Sequence, residues 1–209
     1  CERWLESRFE ARFGLDTCGI DYNLEALGGS GRHLAQATAY QPTQHLVFAS
    51  LLRSARIDCR EYAFIDLGSG KGRALLLAAE HGFSRAIGVE FATELNAIAL
   101  RNIAAYRKRQ QNRCSIEARC QDVVDCEFPK GNSFFYLYNP FGEDVMRKIA
   151  AKIERFSREH DVFVAYRNPV HANVLDEMDW LRCITRNKTF ALYRCSTTVA
   201  SSVTLSATS

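Results

Sequence analysis

The stretch YAFIDLGSGKGRALLLAAEHG, Tyr62 to Gly82, constrains the chain more than any other. A short apolar run leads into Gly68, Gly70 and Gly72 at alternate positions, and a helix-forming run follows that stops at Gly82. Short apolar runs bounded by glycine suit a strand buried on both faces. Glycine tolerates positive φ and lets the backbone approach another group closely. The unit therefore reads as strand, open turn, helix, with the turn at the carboxyl end of a sheet strand, where such sheets bind ligands.

The flanking sequence supplies the rest of that sheet. Upstream, ERWLESRFEARFG reads as a helix with Trp4, Leu5, Phe9 and Phe13 on one side, followed by a loop containing GGSG at 28–31. A second helix is expected over Thr43–Ala55, after Pro42 and with Thr43 as its cap. Downstream, strands are expected at Arg85–Glu90, Cys114–Asp122, Ser133–Gly142 and His160–Pro169, and helices at Thr93–Arg109, Glu143–Glu159 and His171–Met178. Two last strands meet in a hairpin around Asn187–Lys188. Repeated alternation of strand and helix predicts an α/β, doubly wound, mostly parallel sheet with helices on both faces, and the final pair as an antiparallel edge. Residues 1–60 form a helical N-terminal extension, 61–195 the ligand-binding domain and 196–209 a Ser/Thr-rich tail.

Composition narrows the function classes. The 209 residues suffice for one domain with a real core, and 47% hydrophobic with 24% charged residues is ordinary for a globular protein. A net charge of +3 is too small to indicate nucleic acid by itself. No apolar run approaches the roughly 20 residues of a membrane span, and the charged N-terminal stretch does not read as a signal peptide. The eight cysteines include no C-x-x-C pair, and Cys114, Cys120 and Cys126 recur at a spacing that suits neither zinc nor an iron–sulfur cluster. They read as small, half-buried, reduced thiols, hence a reducing compartment such as the cytoplasm. No metal site is expected, the five histidines show no partner pattern, and the basic run Tyr106–Arg113 reads as a solvated helix end. Nothing in the pattern bears on oligomeric state.

The expected strand ends place Asp66–Gly72, Glu90–Phe91, Gln121–Asp122 and Asn139–Phe141 along one rim. A phosphate loop of the Walker type would need Ser or Thr after Lys71, where Gly72 stands. A dinucleotide loop fits Gly68 and Gly70, with Glu90 as the acid, but Arg73 occupies the third glycine position and Asp66 would face a pyrophosphate. The third option is a nucleoside carrying a cation, S-adenosylmethionine (SAM). Asp66 then faces the positive methionyl end, and Glu90 accepts from the ribose hydroxyls through charge-assisted hydrogen bonds worth roughly 1.5–3 kcal/mol. Asp122 accepts from the adenine amino group, and Phe91 or Val123 packs on its face.

Taken in order, DLGSGKGR, GVE, QDV and NPF resemble the class I, seven-stranded SAM-dependent methyltransferases over Tyr62–Cys195. The resemblance implies a Rossmann-like, seven-stranded sheet with an antiparallel C-terminal strand and an N-terminal extension covering the cofactor. It implies SAM held by Asp66, Gly68, Ser69, Gly70, Gly72, Glu90, Phe91, Asp122, Val123 and Asn139, and methyl transfer to an acceptor. YLYNPFG resembles the [DN]-P-P-[FYW] motif of amine-directed members, with one Pro in place of two. This implies that Asn139, Pro140 and Phe141 meet a nitrogen acceptor, with Tyr138 and Tyr40 presenting π-faces to the sulfonium. AYQPTQHLVFASLL resembles, through Tyr40 and Pro42, the segment preceding the domain in lysine methyltransferases. The implied acceptor is an amine or a protein lysine; a small-molecule or O-directed acceptor, a non-catalytic SAM-fold binder and a dinucleotide oxidoreductase are the alternatives. No membrane and no specific nucleic acid is indicated as a partner.

Overall fold

The apolar run after Tyr62 forms β1, Ala63–Leu67, buried from its second residue onward, in a computed structural model that describes residues 2–19, 40–110 and 113–195. The other strands are β2 (Arg85–Glu90), β3 (Ser115–Cys120), β4 (Ser133–Tyr138), β5 (Val162–Arg167), β6 (Leu181–Arg186) and β7 (Phe190–Cys195). They form one seven-stranded sheet in the order β3-β2-β1-β4-β5-β7-β6. β7 pairs antiparallel with both β5 and β6, so it alone runs against the other strands. The hairpin was expected to add an antiparallel edge; instead β7 lies inside the sheet and β6, parallel to the rest, forms the edge. The reason is polarity: β7 (FALYRC) is buried at every position but Arg194, whereas β6 (LRCITR) is largely exposed. A charged strand is the one that tolerates an edge.

Helices α1 (Glu2–Phe13), α2 (His45–Ala55), α3 (Arg73–Glu80) and α4 (Thr93–Arg109) cover one face of the sheet, and α5 (Glu143–Ser157) and α6 (Ala172–Asp176) the other. No helix links β3 to β4. That connection is irregular, in line with a sequence that places no helix there, and buries Val123 and Cys126 in the α5-side core. In α1, Phe9 and Phe13 enter the core while Trp4 stays 58% exposed, which narrows the expected apolar face. Thr43 is not a cap: α2 starts at His45, and the Thr43 hydroxyl pairs with that of Tyr136 at 3.0 Å. The tail 196–209 and the GGSG stretch lie outside the described residues. Among the described cysteines all are free; Cys18, Cys59 and Cys114 are half-buried, Cys126 and Cys195 buried, Cys120 and Cys183 exposed. No helix among the described residues is long and apolar enough to cross a membrane.

A cross-strand row ties the middle of the sheet together. Phe64, Phe134 and Phe163 are register partners on β1, β4 and β5. Their rings stack at 6.2 and 5.9 Å with interplanar angles of 16° and 17°. Each ring is at most 1% exposed. Truncating the central one leaves a cavity between two rings that have no freedom to collapse. Phe134→Ala is expected to cost about 3–5 kcal/mol, measured as a lowered urea midpoint with unchanged slope.

Candidate active site

The glycine turn is clasped onto the neighbouring strand. The amides of Gly68 and Ser69 both donate to the carbonyl of Val89, at 2.9 and 3.0 Å. Gly72 closes the turn by donating to Ser69 O at 2.9 Å, and starts α3 from the left-handed region at φ 80°. Glu90, the last residue of β2, then locks the tip: one carboxylate oxygen accepts from Gly70 N at 2.8 Å and the other from Ala92 N at 2.9 Å. Two positions demand glycine. A Cβ on Gly70 would lie 2.1 Å from the Tyr40 ring, and one on Gly68 2.6 Å from Pro140 Cβ. The turn is therefore held between Tyr40 on one side and Pro140 on the other, which brings four separate stretches of the predicted site together.

Asp66 stands beneath this turn, 3% exposed. It accepts no hydrogen bond from a described residue, and burial, then the charge of Glu90, push its carboxyl well above the usual carboxylate range. Burial also raises Glu90, offset by the amides of Ala92, Gly70 and Phe91. Among the described residues no cation pairs with either of these two buried carboxylates, each of which raises the cost of ionising the site. The hydroxyl of Ser69 is buried without a partner among the described residues, another polar group left available within the turn. The donors and acceptors here thus fit a nucleoside with a positive group better than a pyrophosphate, which would meet two acids.

Arg73, at the start of α3, is the feature that sequence reasoning missed: it entered there only as a misfit to the dinucleotide pattern. Its side chain is 1% exposed. Nε donates to Thr43 O at 2.8 Å, Nη1 to the Thr17 hydroxyl at 2.7 Å, and Nη2 to His45 Nδ1 at 3.2 Å. Glu10 lies 4.0 Å away and the Phe9 ring 5.6 Å from the guanidinium carbon. Arg donates only, so His45 Nδ1 is the acceptor; burial and then Arg73 bring that imidazole down to about 4. Glu10 in turn accepts from Thr17 N, Thr17 Oγ1 and Cys18 N; burial raises its carboxyl, but these bonds hold it below its ordinary value. Asn102 braces the same segment, exchanging hydrogen bonds with both backbone groups of Asp16 and donating to Lys71 O. Tyr40 donates to Thr17 O at 2.7 Å while its ring covers Gly70. The N-terminal segment is thereby fastened directly over the glycine turn. All these partners are distant in sequence, so no local pattern signals them.

The remaining predicted residues divide. Asp122 sits at the rim, with one carboxylate oxygen accepting from Val124 N at 2.9 Å. Val123 is buried and Phe91 half-buried. Asn139 adopts φ 40°, strained for a non-glycine residue before proline, and its Oδ1 accepts from the Tyr166 hydroxyl at 3.2 Å. Phe141, expected to face an acceptor, is instead 5% exposed and belongs to the α5-side core, its ring edge reaching toward Gly68. With one Pro rather than two, the ring turns inward. Tyr138, expected near a sulfonium, has its ring 4.9 Å from the Arg167 guanidinium.

The buried acid has a consequence for stability. Because the folded state holds the Asp66 proton more tightly than the unfolded chain, stability falls as pH rises from the ordinary Asp value of about 4 toward the raised one. Asp66→Asn removes that penalty. The ligand-free variant is expected to be more stable than the parent at about pH 8 and to show a flatter pH dependence, read from urea midpoints; a variant destabilised there would contradict the assignment.

No protein-family model and no curated protein sequence matches this chain. Solved structures do. A candidate RNA methyltransferase from Pyrococcus horikoshii superposes with TM-score 0.55 at 17% identity, covering 82% of this chain and 95% of that one. A candidate SAM-dependent methyltransferase from Methanococcus maripaludis gives 0.52 at 18% identity, covering 71% and 83%. A candidate N6-adenine-specific DNA methylase from Listeria monocytogenes gives 0.55 at 17% identity, covering 81% and 55%. Sheet order, glycine turn and these superpositions agree: the chain has the Rossmann-like, seven-stranded fold of the class I methyltransferases.

Proposed function

We propose that this protein is a SAM-dependent methyltransferase acting on a nitrogen. The observation that carries the reading is Asp66, a buried carboxylate short of a cation at the foot of a glycine turn. SAM supplies an electrophilic methyl on a sulfonium, together with an ammonium, a ribose diol and an adenine. Asp66 ionises against the positive methionyl end, directly or through one water. The Glu90 carboxylate, held by the backbone amides around the turn, has lone pairs beyond those bonds to accept from the ribose hydroxyls. The Ser69 hydroxyl adds a donor within the turn, Asp122 at the rim accepts from the adenine amino group, and Val123 and Phe91 border that ring. Tyr40, over Gly70, excludes water from the same side.

Methyl transfer is an in-line displacement, and orientation supplies several of the roughly 7–11 kcal/mol available from proximity. Asn139 orients the acceptor: Tyr166 donates to its Oδ1 at 3.2 Å, which fixes the amide at the strand end where an acceptor N–H would dock. Asn139 takes no proton; the attacking amine is neutral and loses its proton to solvent after transfer. The name of the Listeria protein, an N6-adenine-specific DNA methylase, supports a nitrogen acceptor such as a base amine; that of the Pyrococcus protein, an RNA methyltransferase, supports a nucleic acid as its carrier.

The test is transfer of tritiated methyl from SAM to total RNA, DNA and protein. For Asn139→Ala, transfer is expected to fall by about a hundredfold, the size of one lost transition-state contact, with binding of S-adenosylhomocysteine unchanged. Equal activity in the variant would remove Asn139 from the reaction; loss of S-adenosylhomocysteine binding as well would make it a residue that holds the cofactor rather than the acceptor.

A further inference from the structure

The sheet extends beyond the helical layer that covers it. Helix α2 packs over β7, but the face of β6 beyond it is open, with Arg182 exposed and Ile184 38% exposed. Between the second half of α2 and this face runs a groove of about 620 Å³. Four arginines line it: Arg53 and Arg56 from α2 and its end, Arg182 from β6 and Arg194 from β7. Arg182 and Arg194 are register partners, as are Arg194 and Phe163, so they continue the stacked phenylalanine row outward as a row of guanidiniums. Arg194 sits 5.2 Å over the Phe163 ring.

The charge is not neutralised. Arg194 pairs with Asp161 at 2.9 Å. Arg53, Arg56 and Arg182 make no ion pair or hydrogen bond with any described residue, and all three are exposed. Arg56 also occupies the left-handed position after α2, at φ 53°, where glycine is the easier residue. A solvated face intersperses acids with bases; here guanidiniums converge on a concave surface together with the hydroxyls of Ser50 and Thr185.

We propose that this groove binds the phosphodiester backbone of a nucleic acid strand. Arginine's planar fork matches phosphate oxygens, and hydroxyl donors complete such contacts. The part of α2 and its end that lines the groove, Ser50 to Arg56, extends about 10 Å, the span of about three phosphates at the roughly 3.4 Å spacing of one duplex strand. The helix also gives the groove a direction. Gln44, just before it, is held by Arg167 at the carboxyl end of β5, so a strand lying beside α2 is led toward the rim that carries Asn139. The inference rests on the groove alone and stands whether or not the rim transfers a methyl group.

Fluorescence anisotropy with a labelled single-stranded RNA of about 20 nucleotides, longer than the 4–16 one domain occupies, tests it across a salt series. Wild type is expected to bind, with unlabelled polyglutamate a poor competitor. The combined variant Arg53→Gln, Arg56→Gln, Arg182→Gln is expected to bind at least about tenfold more weakly, its salt slope shallower by about 2, at 0.7 per lost phosphate contact. Substituting Lys at the same three positions should keep the slope. Melting temperature and S-adenosylhomocysteine binding, measured on both variants, report an intact fold. No binding by wild type, an unchanged slope in the Gln variant, or equal competition by polyglutamate, which would mark the groove as a site for acidic protein, overturns the proposal.

Discussion

The arrangement of the candidate site depends on one buried guanidinium. Arg73 emerges where the glycine turn becomes a helix, and its donors reach Thr43, Thr17 and His45. A buried Arg that lost these partners would leave a charge uncompensated at a cost of several kcal/mol. The N-terminal segment therefore cannot leave the turn without exposing or stranding that charge. Its placement in turn fixes Tyr40 above Gly70, and Tyr40 forbids a side chain there. Cover and turn are one unit, joined by hydrogen bonds to charge rather than by an apolar interface alone.

Beneath that unit the electrostatics run the other way. Arg73 is satisfied, whereas Asp66 is not, and Glu90 spends its charge on the amides that shape the turn. Unpaired buried carboxylates are costly, and a site that keeps one gains by binding a cation. Asn139 carries a second local cost, a left-handed backbone before proline. Strain and unpaired charge both fall on the same rim, at the carboxyl ends of β1 and β4, while the distant core is a well-packed row of aromatic rings. Such concentration of cost at one place is what a binding rim requires.

Much of this was legible because it is local. The β1–glycine–α3 unit follows from an apolar run, three glycines and a helical period, and the rim follows from strand ends. What was not legible depends on partners far along the chain. The inward placement of β7 is decided by which hairpin strand carries charge. Phe141 looked like an acceptor contact because its motif did; with a single proline the ring turns into the core. The Arg73 cluster joins α1, the loop after it and α3 across 56 residues between Thr17 and Arg73, and no spacing rule reaches so far. The arginine groove is assembled from opposite ends of the sequence and was invisible for the same reason.

The most direct test of the account is calorimetric titration of the protein with SAM, S-adenosylhomocysteine and NAD, with Glu90→Ala beside it. The account predicts that SAM and its demethylated product bind in the micromolar range, that NAD does not, and that the variant loses both. Binding of NAD in place of SAM would contradict it: the turn would then hold a pyrophosphate despite Asp66, and Arg73 would be tolerated at a position where that loop calls for glycine.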